Sequence, residues 1–210
     1  MTANRGSLDR YCLVTVGATV GFKELTAAVL QPSFWKFLSS EGFTELHVQC
    51  GPDLPWATAE LASHEDEVPG GLSVSIFDVR KNLMKEEMSL CKALDGERRQ
   101  GLVISHAGTG TILDAWKLGL PIVVVPNTGL LDDHQTEMAK HLSKEGYAIK
   151  SSSQPDDLQE AIHKVDLLWE DNKSRWPPHE VSSQKNERLS LWDIGSGEVA
   201  KEEKSYMAHD

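Results

Sequence analysis

The segment Val103-Ile104-Ser105-His106-Ala107-Gly108-Thr109-Gly110-Thr111-Ile112-Leu113-Asp114 carries the strongest chemical signal in the chain. It runs from an apolar strand through a glycine-rich turn into a helical pattern. Glycines let the backbone approach a phosphate, and the unpaired amides of a helix N-terminus face it. The dinucleotide fingerprint GxGxxG would require glycine at 113, where this chain has Leu113, and an acidic residue ending the next strand, where it has Pro126-Asn127. The pattern therefore argues against a dehydrogenase. His106 is open to two readings from this segment, a structural hydrogen-bonder or a base.

Two further clusters share this character. Val14-Thr15-Val16-Gly17-Ala18-Thr19-Val20-Gly21-Phe22 is again strand, small residues, then helix, with Thr19 either offering its hydroxyl to a ligand or capping the helix. Leu130-Leu131-Asp132-Asp133-His134-Gln135-Thr136-Glu137-Met138-Ala139 follows a later strand, with Asp132 or Asp133 as an N-cap. His134 and Gln135 in the first turn are neutral donors of the kind that suit sugar hydroxyls. No GKT or GKS phosphate loop, HExxH, GxSxG or Cys/His zinc spacing occurs, so four common chemistries lose their main support.

These clusters need a scaffold that brings loop ends together. Strand candidates are Tyr11 to Val16, Thr44 to Gln49, Leu72 to Phe77, Gly101 to Ser105 and Pro121 to Val125. They alternate with helical patterns at Lys23 to Leu38 (broken near Pro32), Asn82 to Leu94, Thr109 to Leu118 and His134 to Glu145. Such alternation predicts an α/β fold, a Rossmann-like parallel sheet with helices on both faces. The runs at 102–104 and 122–125 are apolar without alternation, as central strands covered on both sides should be. Gly119 and Gly146 stand where helix-ending glycines belong.

The pattern changes near residue 150, which predicts a domain over 1–150, C-terminal helices and a partner-docking segment over 151–194, and a disordered tail over 195–210. Pro155 to Trp169 reads as one more helix, acidic in its first turn. Leu189, Leu191, Trp192 and Ile194 are apolar residues in a polar context, suited either to docking a partner or to packing as a strap on this domain's own sheet. Residues 151–210 hold 7 basic and 13 acidic residues, contributing -6 of a net charge of -11 over 210 residues. An acidic chain of this kind repels phosphate backbones and anionic membrane surfaces, so nucleic-acid binding is not expected. No apolar run approaches the ~20 residues of a membrane-spanning helix, and the first ten residues lack an apolar signal core, which reads as a soluble, cytosolic chain. Cys12, Cys50 and Cys91 lie far apart in apolar contexts and read as buried free thiols. Asn172-Lys173-Ser174 matches a glycosylation sequon by chance in a chain without a secretion signal.

Taken together, GATVGF, VISHAGTGTILD and DDHQTEMAKHL, in that order, resemble the cytosolic catalytic subunits of the two-part UDP-N-acetylglucosamine transferase that acts on dolichyl-pyrophosphate-GlcNAc. The resemblance covers about residues 10 to 150 and departs at Gly21, where relatives often have Pro, and at the charged stretch Leu94 to Gln100. It implies the nucleotide-binding half of a GT-B glycosyltransferase, related to the bacterial enzyme that adds GlcNAc to a lipid-linked muramoyl-pentapeptide. By motif, Gly17, Thr19 and Gly21 match the loop facing the diphosphate, and His106, Gly108, Thr109 and Gly110 the second loop around the nucleotide sugar. Asp114 matches the acidic residue that takes the ribose hydroxyls, and His134 and Gln135 the pair near the GlcNAc hydroxyls. The implied reaction is inverting transfer from UDP-GlcNAc, with no cofactor, no metal site and no DxD pair. The general base is His106 or a residue of the partner. A membrane-anchored, acceptor-binding subunit at the cytosolic face of the endoplasmic reticulum is the implied partner, because a two-sheet enzyme needs about twice the domain found here. The alternative is a non-catalytic nucleotide-sugar-binding or regulatory subunit. A complete soluble glycosyltransferase acting on small acceptors is disfavoured by length.

Overall fold

The computed structural model describes residues 8–129 and 134–175. Six strands form one parallel sheet: β1 (Tyr11–Thr15), β2 (Glu45–Gln49), β3 (Ser73–Phe77), β4 (Leu102–Ser105), β5 (Ile122–Val124) and β6 (Ile149–Lys150), in spatial order β3-β2-β1-β4-β5-β6. The expected Rossmann-like architecture is present. The chain reverses its direction of travel across the sheet between β1 and β4, and that point is where open α/β sheets form their ligand crevice.

Helices cover both faces. They are α1 (Lys23–Val29), α2 (Pro32–Ser40), α3 (Leu54–Ser63), α4 (Leu83–Glu86), α5 (Thr109–Leu118), α6 (His134–Lys144) and α7 (Pro155–Arg175). Successive strand residues point to opposite faces. Cys12, Val14, Leu102 and Ile104 therefore pack with Leu25, Val29, Phe34, Trp35 and α7, while Leu13, Val103, Ile122 and Val124 pack with Met88, Ile112, Ala115 and Leu142. Burial pushes the thiols of Cys50 and Cys91 up to about 12, and Cys12 is raised further, so all three are inert free thiols.

Pro32 divides the first helical stretch as expected, with Gln31 extended and Pro32 opening α2. Gly119 ends α5 in the left-handed region, with Leu120 N–H donating to Ala115 O and Gly119 N–H to Trp116 O, both at 2.9 Å. Gly146 repeats the device after α6, where Tyr147 N–H donates to Leu142 O at 2.9 Å.

Several boundaries differ from the sequence reading. Among the described elements α3 and β6 had no counterpart in it. Pro52 and Pro55 look like turn residues, yet Pro55 falls in the first turn of α3, where a missing N–H costs nothing. The stretch from Asn82 to Leu94 is only a short α4 followed by a 3-10 turn, Met88–Cys91. The sheet's centre is β1 and β4, with β5 one place further out. The compact unit does not end near 150 but runs to Pro177. Its last helix, α7, is part of the core: Leu158, Ala161, Ile162 and Val165 form a buried stripe. Asn172 Nδ2 donates to Gly146 O at 2.9 Å, a structural use of the sequon asparagine. The tail residues Leu189, Leu191, Trp192 and Ile194, and Asp132 and Asp133, lie outside the described residues.

Candidate functional site

The last rung of the strands is polar in a sheet that is otherwise apolar at its centre. Gln49, Thr15 and Ser105 stand side by side in register and are buried. Thr15 Oγ1 donates to Gln49 Oε1 at 2.6 Å, while Ser105 Oγ is buried without a partner. Burying such groups is unfavourable unless they are satisfied. Their concentration at the C-terminal ends of β1, β2 and β4 marks the edge where a ligand would sit.

Two loops converge there. The β4–α5 loop begins with His106, whose backbone N–H and Nδ1 both approach Thr15 O, at 3.1 and 3.2 Å. A carbonyl only accepts, so Nδ1 carries the proton and Nε2 is the bare lone pair of the neutral ring. Burial lowers the His106 pKa, opposed by that hydrogen bond. The ring lies between two glycines. A Cβ on Gly108 would stand 2.5 Å from Nε2, and one on Gly17, which has φ +87°, would stand 3.0 Å away. Any side chain at either position displaces the imidazole. Ala107, between His106 and Gly108, is at φ 65°, the one non-glycine residue with positive φ among those described. A left-handed alanine costs about 1–2 kcal/mol, and its methyl is held in the core.

α5 starts immediately after this turn with Gly108 as its N-cap and no side-chain cap, so its first amides are free for an anion. Gly110 has open space where a Cβ would be, with no atom of the described residues within 4 Å. Thr109 Oγ1 reaches Met138 Sδ at 3.6 Å, tying the helix start to α6. Asp114 lies one turn further along and is half-buried, with Oδ1 accepting from Lys117 Nζ at 3.2 Å. It makes no hydrogen bond to either loop among the described residues.

The β1–α1 loop holds Gly17, Thr19 and Gly21, with Thr19 exposed. Gly21 is enclosed: a Cβ would fall 2.2 Å from Asp53 Oδ2, a buried oxygen without a partner. The Asp53 carboxylate therefore fills the space that a side chain at 21 would take. The backbone of His134 opens α6, but its side chain is outside the description. Gln135 Oε1 accepts from Asn127 N–H at 3.2 Å, and Asn127 Nδ2 donates to Gly21 O at 3.3 Å. The structure thus joins Gly17 to His106 and Gly108, and Gly21 to Gln135 through Asn127. Asn127 and Asp53 were not singled out from the sequence. Asn127 directly follows a buried strand run, and that position was the available signal.

A parallel sheet with a glycine-cradled histidine and an uncapped helix at its switch point defines a Rossmann-like domain equivalent to the nucleotide-binding half of a GT-B glycosyltransferase. More narrowly, residues 11–188 match the glycosyltransferase family 28 C-terminal domain, and the chain belongs to that family. Over 185 residues it is 34% identical to the UDP-N-acetylglucosamine transferase subunit ALG13 of Cryptococcus neoformans, covering 79% of this chain and 88% of that protein. The solution structure of ALG13 aligns with a TM-score of 0.57 at 26% identity, covering 76% of this chain and 87% of that one. Acinetobacter baumannii MurG shares the fold at 24% identity and a TM-score of 0.55, over 77% of this chain but 43% of its own.

Proposed function

We propose that this chain is the donor-binding, catalytic subunit that transfers GlcNAc from UDP-GlcNAc to dolichyl-diphosphate-GlcNAc, together with a membrane-anchored subunit that presents the acceptor. The observation that carries the reading is the enclosure of His106 by Gly17 and Gly108 beside the free N-terminus of α5, in a family 28 domain similar to UDP-GlcNAc transferase subunits. In the transfer the acceptor oxygen attacks C1 of GlcNAc, the bond from C1 to the diphosphate oxygen breaks, and UDP departs with the electron pair. Charge grows on the diphosphate, where the amides following Gly108 and those of the Gly17–Gly21 loop stabilise it without a metal. Asp114 takes the ribose hydroxyls, exchanging its exposed pairing with Lys117 for them. Gln135 and His134 address the sugar.

The hydroxyl proton goes to a general base. His106 Nε2 has the right protonation state for this role, and a group of the partner subunit is the competing assignment. No helix among the described residues is long and apolar enough to cross a membrane, so a bilayer-bound acceptor is delivered by the partner at the cytosolic face of the endoplasmic reticulum. Leu189, Leu191, Trp192 and Ile194 supply the docking contact.

The test is reconstitution. The purified chain is mixed with membranes bearing the partner alone, then supplied with UDP-GlcNAc and the lipid acceptor. Transfer that requires both components, persists in chelator and is lost on truncation after residue 180 supports the reading. UDP-GlcNAc binding with no turnover in the assembled complex would make the chain a regulatory or binding subunit instead.

A further inference from the structure

Asp53 is an acidic residue that the transfer described above does not use. It stands at the N-cap position of α3, where an aspartate ordinarily accepts from an amide of the helix's first turn. It makes no such bond. Its Oδ2 is shut off from solvent without a hydrogen-bond partner, and the carboxylate lies against Gly21, where a Cβ would meet Oδ2 at 2.2 Å, Cγ at 2.6 Å and Oδ1 at 2.8 Å. Two residues earlier, a Cβ on Gly51, which has φ +51°, would stand 3.0 Å from Gly17 O. The turn after β2 therefore braces the β1–α1 loop at both ends, through Gly51 at Gly17 and through Asp53 at Gly21. No cation is paired with the buried oxygen among the described residues. Lys23, which walls the same recess of about 300 Å³ as Asp53, lies over the Trp56 ring, 4.6 Å from its centre. A neutral side chain of the same shape would brace the loop as well and would avoid burying an unanswered charge. Space filling accounts for a side chain at 53 and not for its charge.

We propose that Asp53 is a specificity-determining residue between donor and product: its charge repels the diphosphate across the β1–α1 loop and lowers the affinity for UDP more than that for UDP-GlcNAc, which clears the site after transfer. The inference rests on the donor assignment proposed above and adds how the product leaves. In UDP-GlcNAc each phosphate carries one charge, whereas freed UDP gains about one more on its terminal phosphate at neutral pH. Coulomb repulsion grows with the charge it acts on, and it reaches across several ångströms where a loop excludes water. The same field opposes the charge growing on the departing diphosphate, so the loop amides and the start of α5 must outweigh it while the bond breaks. The fully formed charge of the product then feels it in full.

The test uses the reconstituted complex, without acceptor and in chelator, and measures the Kd of UDP and of UDP-GlcNAc by calorimetric titration. Asp53→Asn keeps the shape of the side chain and removes its charge. UDP should bind roughly tenfold more tightly and UDP-GlcNAc roughly threefold, so that the ratio of the two shifts by about threefold. Added salt should narrow the gap between parent and variant, because the repulsion is screened. With acceptor present, progress curves of the variant should bend earlier through product inhibition. Should Asp53→Asn fail to fold, Asp53→Ala, neutral and smaller, carries the same ratio. Equal changes for the two ligands, or none, overturn the proposal and leave Asp53 a brace for the loop. Magnesium that tightens UDP on the parent but not on Asp53→Asn would make the carboxylate a cation ligand, which overturns it as well. A parent that binds neither ligand removes the donor assignment first and the proposal with it. A parent that binds both, with a variant that matches it, removes only the role of Asp53.

Discussion

At the N-terminal ends of the strands, Arg10 is buried and almost completely answered. Its Nε donates to Gln100 O at 3.0 Å, Nη1 to Glu41 O at 2.9 Å and Nη2 to Asp166 on α7 at 2.6 Å, and its guanidinium lies 4.0 Å over the Phe43 ring. At the opposite ends of the same strands His106 uses one nitrogen, α5 has no cap, and oxygens of Ser105 and Asp53 stand without partners. Both ends bury polar groups. One spends them on holding β1, α2 and α7 together, and the other leaves them unanswered among the described residues, as the donor site proposed above requires. An orphan atom alone does not tell the two apart, since Arg98 Nε is also unpartnered. The distinction comes from convergence: glycines that make room, a free helix end and a tautomer-fixed histidine at one switch point.

The largest expected effect breaks the quiet end. Arg10→Ala leaves the Gln100 and Glu41 carbonyls without their donor and the half-exposed Asp166 without its cation, and should lower unfolding free energy by about 3 kcal/mol, the scale of hydrogen bonds lost from a buried charged group. Chemical denaturation measures it. Donor affinity of the fraction still folded should match the parent, and a specific loss of affinity would merge the two ends that the comparison separates.

At the functional end the expectation is the reverse. Gly108→Ala drives a methyl toward His106 Nε2 and should cost about 1–3 kcal/mol of stability as an overpacked site, while transfer falls more steeply than that loss explains. Normal transfer kinetics would show that the ring's position does not matter. Asp114→Ala should weaken UDP-GlcNAc binding by about 1.5–3 kcal/mol, the scale of a charged hydrogen bond, with little change in melting temperature because only an exposed pairing with Lys117 is lost. Calorimetric titration with an unchanged affinity removes Asp114 from the site.

The two ends also differ in how far the sequence discloses them. The glycine turn at 106–110 and the helix after it are readable because apolar strand, small residues and helical periodicity follow one another without a break. The capping glycines at 119 and 146 are readable for the same local reason. Asn127 is not, because its meaning lies in a bond to Gly21, 106 positions away, and polar residues after a strand are ordinary. Arg10 is hidden in the same way by its pairing with Asp166 across 156 positions. α3 is missed because two prolines resemble a loop, and α7's place in the core is missed because a helix stripe does not say which sheet it covers.

The smallest expected effect is a slope, and it tests whether His106 is neutral in the folded chain. Burial sets its folded pKa below the ordinary value of 6.5, so the unfolded chain takes up a proton in a pH range where the folded chain does not. The neutral ring's contribution to stability is then present above pH 6.5 and is lost as pH falls through the folded value. The informative quantity is the difference between the parent and His106→Asn, which cancels what every other group contributes and keeps a neutral donor near Thr15 O. Urea midpoints taken from pH 7.5 downward should show the parent losing more stability than the variant. If His106 Nε2 is also the base, kcat/KM in the reconstituted complex should hold its plateau to below pH 6.5 before it declines. Parallel stability curves for parent and variant would mean that the folded ring protonates as easily as a free one, and its enclosure by Gly17 and Gly108 would then have no electrostatic consequence.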